Sequence, residues 1–142
     1  MVPEELDILA SELEGRFSQD LKSRWNDLEF EELALRAFNA QFQYNPVYRR
    51  FCEGKNAVPT AVQSWRDVPM VPTTAFRHLD LVTGDHSSVR MVFRTSGTTS
   101  TTLAPGRHLV SRPSLYHASL LSSFREYLLP DVEEIKFVSL IP

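Results

Sequence analysis

Apolar residues recur at helical spacing through the first third of the chain. Residues 4–14 and 28–44 each carry such residues every three or four positions, a pattern that predicts two amphipathic helices. Asn45 followed by proline is typical of a helix start, and it predicts a short helix over 47–53 that stops at Gly54. The apolar positions of the first two helices are Leu6, Leu9, Ala10, Leu13, Leu33, Ala37, Phe38, Ala40 and Phe42.

The middle of the chain is interrupted by prolines, which break regular structure and predict an extended segment over 55–87. Within it we expect a brief helix that ends at Leu79 and is capped by Thr73 or Thr74, followed by a turn at Gly84.

Alternating apolar positions predict a strand over 89–95 and a short return strand over 107–110. Ser111 and Pro113 suggest the start of a helix over about 114–129, and the apolar run 135–142 predicts a final buried strand. The expected fold class is α/β, with a helical layer over 1–54 and a strand, loop, helix and strand over 88–142. Because domains seldom stop inside a buried strand, we expect the protein to continue past Pro142.

Composition restricts the function classes. The chain has 142 residues, a net charge of -3 and a pI near 5.8, which argues against a dedicated nucleic-acid-binding protein. Residues 1–32 are strongly acidic, whereas residues 33–142 carry an excess of basic side chains that suits an anionic ligand or an ordinary charged surface. The acidic start does not fit a signal peptide, no apolar run is long enough to span a membrane, and a single cysteine suits a reducing compartment. We therefore expect a cytoplasmic protein.

A hydroxyl-rich segment follows the predicted strand. Residues 95–102 place seven serines and threonines around Gly97. Hydroxyls and exposed backbone N–H groups are suited to binding polyphosphate, and a glycine lets the backbone approach it closely. The Walker A pattern does not fit, because it needs a second glycine followed by lysine. Composition alone favours a flexible polar linker.

The order of residues in this segment resembles the phosphate loop of the adenylate-forming superfamily. The sequence FRTSGTT over 93–99 matches that signature, while Ser100 stands where the superfamily usually has glycine, and Arg107 follows a displaced Pro-Gly pair. The flanking segments 41–48, 65–76, 107–109, 115–120 and 128–131 resemble the acyl-protein synthetase (LuxE-like) branch of that superfamily.

This resemblance implies an ATP-dependent ligase whose large adenylate-forming domain begins in this chain. A fatty acid would attack the α-phosphate of Mg²⁺-bound ATP to give an acyl-adenylate, and the acyl group would then pass to a protein thiol and onward to a reductase partner. The resemblance assigns the phosphate hydroxyls to Thr95, Ser96, Thr98 and Thr99, the close approach to Gly97, and a cation to Arg107.

The family's adenine contacts, its Mg²⁺-binding acid and its acceptor cysteine lie further along the chain than residue 142. We therefore expect the chain alone to be inactive as an enzyme. Two alternatives remain: a truncated, non-catalytic module that binds a nucleotide, another anion or a partner protein, and one half of a split ligase.

The other chemically reactive residues do not form recognisable catalytic or metal-binding motifs. Cys52 lies on a predicted helix and is interpreted as a buried structural residue rather than an acyl acceptor. The four histidines lack metal-ligand spacing, and the serines near residue 114 lack a hydrolase motif. His108 is expected to be a strand residue near the surface, while Trp25, Trp65, Phe38 and Phe42 are expected to be core aromatics.

Overall fold

The computed structural model describes residues 3–19, 25–95 and 105–131 together with positions 134 and 136. Three helices come first, α1 (Glu4–Phe17), α2 (Asp27–Tyr44) and α3 (Pro46–Glu53). Short 3-10 turns at Trp65–Asp67, Thr73–Arg77 and His86–Ser88 lead to strands β1 (Met91–Arg94) and β2 (Arg107–Val110), and helix α4 (Pro113–Leu128) follows.

The N-terminal helices confirm the predicted helical layer. Asn26 caps α2 by accepting a hydrogen bond from the N–H of Leu28, and Asn45 caps α3 in the same way through the N–H of Tyr48. Pro46 occupies the first turn of α3, where its missing N–H costs nothing, and α3 ends at Gly54 as expected. Cap chemistry therefore placed both ends of α3.

The predicted caps of two later elements are wrong. The turn Thr73–Arg77 begins after Pro72 and has no side-chain cap, so neither Thr73 nor Thr74 acts as one. Helix α4 begins after Arg112, again without a side-chain cap, rather than after Ser111. In both cases a proline sets the backbone angle at the start of the element, which makes a capping side chain less necessary.

The two strands pair as an antiparallel hairpin, with Met91 opposite Val110 and Arg94 opposite Arg107. This arrangement confirms the predicted strand and return strand, and the described residues form a mixed α and β fold with one two-stranded sheet. The predicted final strand over 135–142 lies outside the described residues, apart from Lys136.

The core lies between α2, α3 and the segment that follows them. Phe38, Tyr48, Cys52 and Val62 are buried together, and partly buried neighbours enclose them. Phe38 meets Tyr48 edge to face with ring centroids 6.2 Å apart, a favoured aromatic geometry. The predicted core position of Phe38 is thus confirmed. Trp65 instead lies at the surface, against the edge of Phe30 and beneath the guanidinium of Arg66.

Helix α4 is held on α1 by polar contacts around Arg112 at its start. The Arg112 guanidinium binds Glu14 at 2.7 Å and Asp7 at 2.8 Å. Ser122, further along α4, donates to the carbonyl of Phe17. None of the helices within the described ranges combines the length and apolar character needed to cross a bilayer.

Candidate functional site: the base of a hydroxyl-rich loop

The hairpin brings the two ends of the hydroxyl-rich loop together. Directly beyond the last strand pair, the N–H of Thr95 donates to the carbonyl of Gly106 at 3.0 Å. The N–H of Gly106 in turn donates to Oγ1 of Thr95 at 2.8 Å. These reciprocal hydrogen bonds close the base of the loop, so Thr95 and Gly106 lie side by side.

The residues predicted to bind phosphate fall into two groups. Ser96, Gly97, Thr98 and Thr99 lie outside the described residues, and their roles stay predictions. Thr95 and Arg107 both lie at the closed base of the loop. The Thr95 oxygen already accepts one hydrogen bond, but its O–H remains able to donate to an anion.

Gly106 is the buried residue at the base of the loop. A Cβ at this position would lie 3.5 Å from Oγ1 of Thr95 and 3.6 Å from Cγ of Arg77, which is ordinary van der Waals contact. The stem of Arg77 therefore packs over the point where the loop closes. The sequence placed Gly106 in the displaced Pro-Gly-Arg triplet, but it gave no sign that Arg77 would lie against it.

The charges around the loop base are unbalanced. Arg107 forms an ion pair with Asp80, with Nη2 2.7 Å from Oδ1. Arg107 was predicted to supply a cation, and the sequence did not show that an acidic residue would hold it. Arg94, directly opposite Arg107, and the nearby Arg77 make no ion pair with any residue in the described part of the chain. Arg77, Arg94 and Arg107 thus lie at or next to the loop base, where Asp80 pairs with Arg107.

The segments that carried the family resemblance contact one another in sequence order. The hydroxyl of Tyr48, in the first segment, donates to the carbonyl of Pro69 in the second at 2.9 Å. The ring of Phe76, which ends the second segment, stacks on His108 in β2 with centroids 4.2 Å apart. Contacts therefore run from the buried core to the strand that follows the loop, and they fix the orientation of the hairpin.

His108 confirms the prediction of an exposed strand residue. On β1, Phe93 contacts Tyr116 of α4 with ring centroids 4.9 Å apart. The hairpin is thus bounded by the Pro-rich segment at one strand and by α4 at the other.

A groove of about 680 Å³ lies beside the hairpin, between α1, α2, β2 and the start of α4. Its lining is mainly apolar and includes Leu9, Leu13, Ala37, Leu109 and Leu115. Arg112 borders the groove, but Asp7 and Glu14 already bind its guanidinium. Phe38 and the tryptophans do not line it, so the aromatic residues noted in the sequence do not form this surface.

Cys52 confirms its structural interpretation. Its side chain is completely buried in the α2–α3 core. Burial raises the pKa of the Cys52 thiol, and burial likewise raises the pKa of the neighbouring Tyr48 hydroxyl. Because thiolate is the nucleophilic form, this residue is unsuited to accept an acyl group.

Comparison with known proteins gives one informative similarity. The chain is 29% identical over 118 residues to the long-chain-fatty-acid–luciferin-component ligase of Vibrio harveyi. The match covers 80% of this chain and 30% of the ligase. A match of this length includes the central loop, whichever residue of the chain the match starts at. The chain thus spans about a third of the length of that relative. No protein-family model matches the chain, and no solved structure matches it significantly.

The similarity supports the LuxE-like resemblance drawn from the motifs, and with it a relationship to fatty acid ligases. About 70% of the ligase lies outside the match.

Proposed function

We propose that this chain supplies the phosphate-binding part of an ATP-dependent ligase that acts on a long-chain fatty acid. The observation that carries the proposal is the loop base. A run of serines and threonines begins at Thr95, where the hairpin closes through hydrogen bonds to Gly106, and Arg94 and Arg107 flank this point. The similarity to a fatty acid ligase supports the choice of reaction class.

In the proposed first step, a carboxylate oxygen of the fatty acid attacks the α-phosphorus of ATP. The bond between the α-phosphorus and the bridging oxygen breaks, and pyrophosphate leaves with the electron pair. Negative charge grows on the β- and γ-phosphates, so donors that are already in position stabilise the transition state. Thr95, Ser96, Thr98 and Thr99 would donate hydroxyl hydrogen bonds, and Gly97 would allow the backbone to approach.

The described residues fit the polyphosphate of ATP better than they fit a Mg²⁺ ion. The excess of arginine at the loop base suits the polyphosphate of ATP, because guanidinium groups bind phosphate oxygens in a bidentate manner. When bound, Mg²⁺ would supply charge neutralisation at the phosphates. Among the described residues, however, no group of three or more histidine, cysteine, aspartate or glutamate side chains comes together to hold a metal. Because Mg²⁺ at a nucleotide site is commonly held by one or two carboxylates together with phosphate oxygens, we propose that the loop hydroxyls and the nucleotide would supply most of its ligands.

In the proposed second step, a thiolate sulfur of an acceptor protein attacks the acyl carbon and AMP leaves. Cys52 is excluded as this acceptor by its burial. We therefore propose a separate acceptor cysteine, and a reductase partner that takes the acyl group from it.

Nucleotide binding tests the proposal. We expect Thr98→Ala to weaken ATP binding about threefold to tenfold in isothermal titration calorimetry, because one hydrogen bond to a charged phosphate is lost. Thr60→Ala, in an exposed turn far along the chain from the loop, is the matched control and should leave the affinity unchanged. Equal ATP affinity in the Thr98→Ala variant and the unmodified chain would contradict the loop assignment.

A second test asks whether the isolated chain catalyses the first step. We expect no fatty-acid-dependent exchange between ATP and pyrophosphate from this chain by itself, because its match covers only 30% of the ligase and the described residues bring together no cluster of side chains that could hold a metal. Measurable exchange would show that the catalytic residues are present within these 142 positions.

A further inference from the structure

The loop base carries a like-charge pair that is unusual for a short hairpin. Arg94 and Arg107 are directly opposite each other in the last register of the two strands. Like charges at opposed positions destabilise a strand pair, whereas opposite charges stabilise it. An anion placed between the two guanidinium groups would convert this repulsion into attraction.

Only one of the two arginines has an acidic partner. Asp80 binds Arg107 at 2.7 Å, and both side chains of this ion pair are substantially exposed. Exposed ion pairs of this kind contribute little to stability, so a stronger ligand can replace one partner at small cost. Arg94 makes no ion pair with any described residue and is exposed.

A third cation lies near the same place. The stem of Arg77 packs against Gly106, the residue immediately before Arg107. Its guanidinium also lacks an acidic partner in the part of the chain that the structure describes, and it adds to the positive field at the loop base.

We propose that Arg94 and Arg107 form a two-arginine clamp for a polyphosphate, and that Asp80 is an internal counter-ion which the polyphosphate displaces from Arg107. The proposed function identifies this polyphosphate as the β- and γ-phosphates of ATP, or as the pyrophosphate released from ATP, and this part of the inference rests on that function. The clamp itself rests on the opposed arginines and on the single acidic partner. Asp80 then has two effects: it neutralises Arg107 in the free protein, and it competes with the anion.

The competing role of Asp80 gives a test in which two substitutions change the pyrophosphate affinity in opposite directions. Inorganic pyrophosphate would be titrated into the full chain by calorimetry at low salt. We expect Arg94→Gln to weaken binding about threefold to tenfold, through loss of a charge-assisted contact. We expect Asp80→Asn to strengthen binding about twofold to fivefold, because the internal competitor is lost.

Matched variants control for charge and folding. Arg90→Gln removes an exposed arginine just before β1, roughly 13 Å along the chain from Arg94 at about 3.3 Å per strand residue, and should leave the affinity unchanged. Asp80→Glu keeps the charge and should bind pyrophosphate as the unmodified chain does. Far-ultraviolet circular dichroism would show that each variant remains folded.

The outcomes separate the clamp from the ligase proposal. Unchanged pyrophosphate affinity in Arg94→Gln, or unchanged or weaker affinity in Asp80→Asn, would overturn the clamp. Should ATP binding in that case still depend on Thr98, the ligase proposal would stand without the clamp. If pyrophosphate binding instead follows the expected order while ATP binding ignores Thr98→Ala, the clamp stands and the proposed loop function fails.

Discussion

The α2–α3 region and the hairpin–α4 region are built in opposite ways. In the first, large aromatic side chains point inward and Phe38 is only 2% exposed. In the second, α4 has no buried residue, and its large apolar side chains lie mainly on the outside. These exposed side chains are Tyr116, Leu120, Leu121, Tyr127 and Leu128.

The difference follows from what each helix presents to its neighbour. Helix α3 packs Tyr48 and Cys52 into a shared apolar cluster. Helix α4 instead meets α1 through serines and through the ion pairs of Arg112. We infer that burial of apolar surface stabilises the first region, whereas hydrogen bonds and ion pairs hold the second. The candidate site lies on the second region and is oriented by contacts from the first.

The largest expected effect is on the apolar core. Phe38→Ala should destabilise the fold by about 3–5 kcal/mol, since it removes a buried ring and leaves a cavity. Urea unfolding followed by circular dichroism would measure the free energy of unfolding. A loss below about 1 kcal/mol would contradict the view that this cluster stabilises the region.

A smaller effect is expected where the core contacts the Pro-rich segment. Tyr48→Phe removes the hydrogen bond to the carbonyl of Pro69 and should cost about 1 kcal/mol in the free energy of unfolding. Tyr44→Phe is the control, because the Tyr44 hydroxyl binds Glu5 at an exposed position. An equal loss of unfolding free energy in the two variants would show that the hydrogen bond to Pro69 stabilises the fold no more than an exposed one.

A substitution at the loop base should lower stability by a similar amount, and its effect should be confined to the hairpin. Thr95→Val keeps the branched shape but removes the oxygen that accepts from the N–H of Gly106, at a cost of about 0.5–1.5 kcal/mol. Hydrogen exchange of the Gly106 amide should become faster, while Thr95→Ser should preserve its protection. Unaltered exchange in Thr95→Val would contradict closure of the loop by this bond.

The contact between α1 and α4 should depend on pH. Hydrogen bonds from Ser114 and Arg112 hold the pKa of Glu14 below its ordinary value of 4.5. Stability from this carboxylate is therefore complete at neutral pH, where Glu14 is ionised in both folded and unfolded chains. It is lost as pH falls below 4.5 and through the lowered pKa. Thermal melts from pH 7 downward should show a smaller acid-induced decrease in Glu14→Gln, and an identical decrease would contradict this assignment.

The smallest effect is expected on the exposed face of α4. Leu120→Ser should change the free energy of unfolding by no more than about 0.5 kcal/mol, since this side chain is about half exposed. A loss comparable to that of Phe38→Ala would mean that this face is buried in the folded protein in solution.

Local signals predicted the first region well. Asn45 and Pro46 specify the start of α3 through a side-chain cap and a fixed backbone angle, and these are properties of adjacent residues. The strand before the loop was likewise visible in its alternating residues, because one of its faces is half-buried.

Contacts between distant segments could not be predicted in this way. Nothing local indicates that Asp80 would bind Arg107, or that the stem of Arg77 would cover Gly106. The outward apolar face of α4 was also missed, because helical periodicity shows that an apolar stripe exists but not which side the neighbouring helix covers. The surface position of Trp65 has the same cause. A tryptophan in the sequence is expected to be buried, but Trp65 is 39% exposed and its ring meets the ring of Phe30 edge to face.

The most direct test of the central claim is an amide-resolved NMR titration of the chain with ATP. We expect chemical-shift changes concentrated at Thr95, Gly106 and Arg107, which close and flank the loop, and none at the buried Cys52. The changes should saturate together and weaken in Thr98→Ala. Shifts confined to α1 or the α2–α3 core, or no saturable shift at the loop base, would contradict a phosphate-binding role for this hairpin.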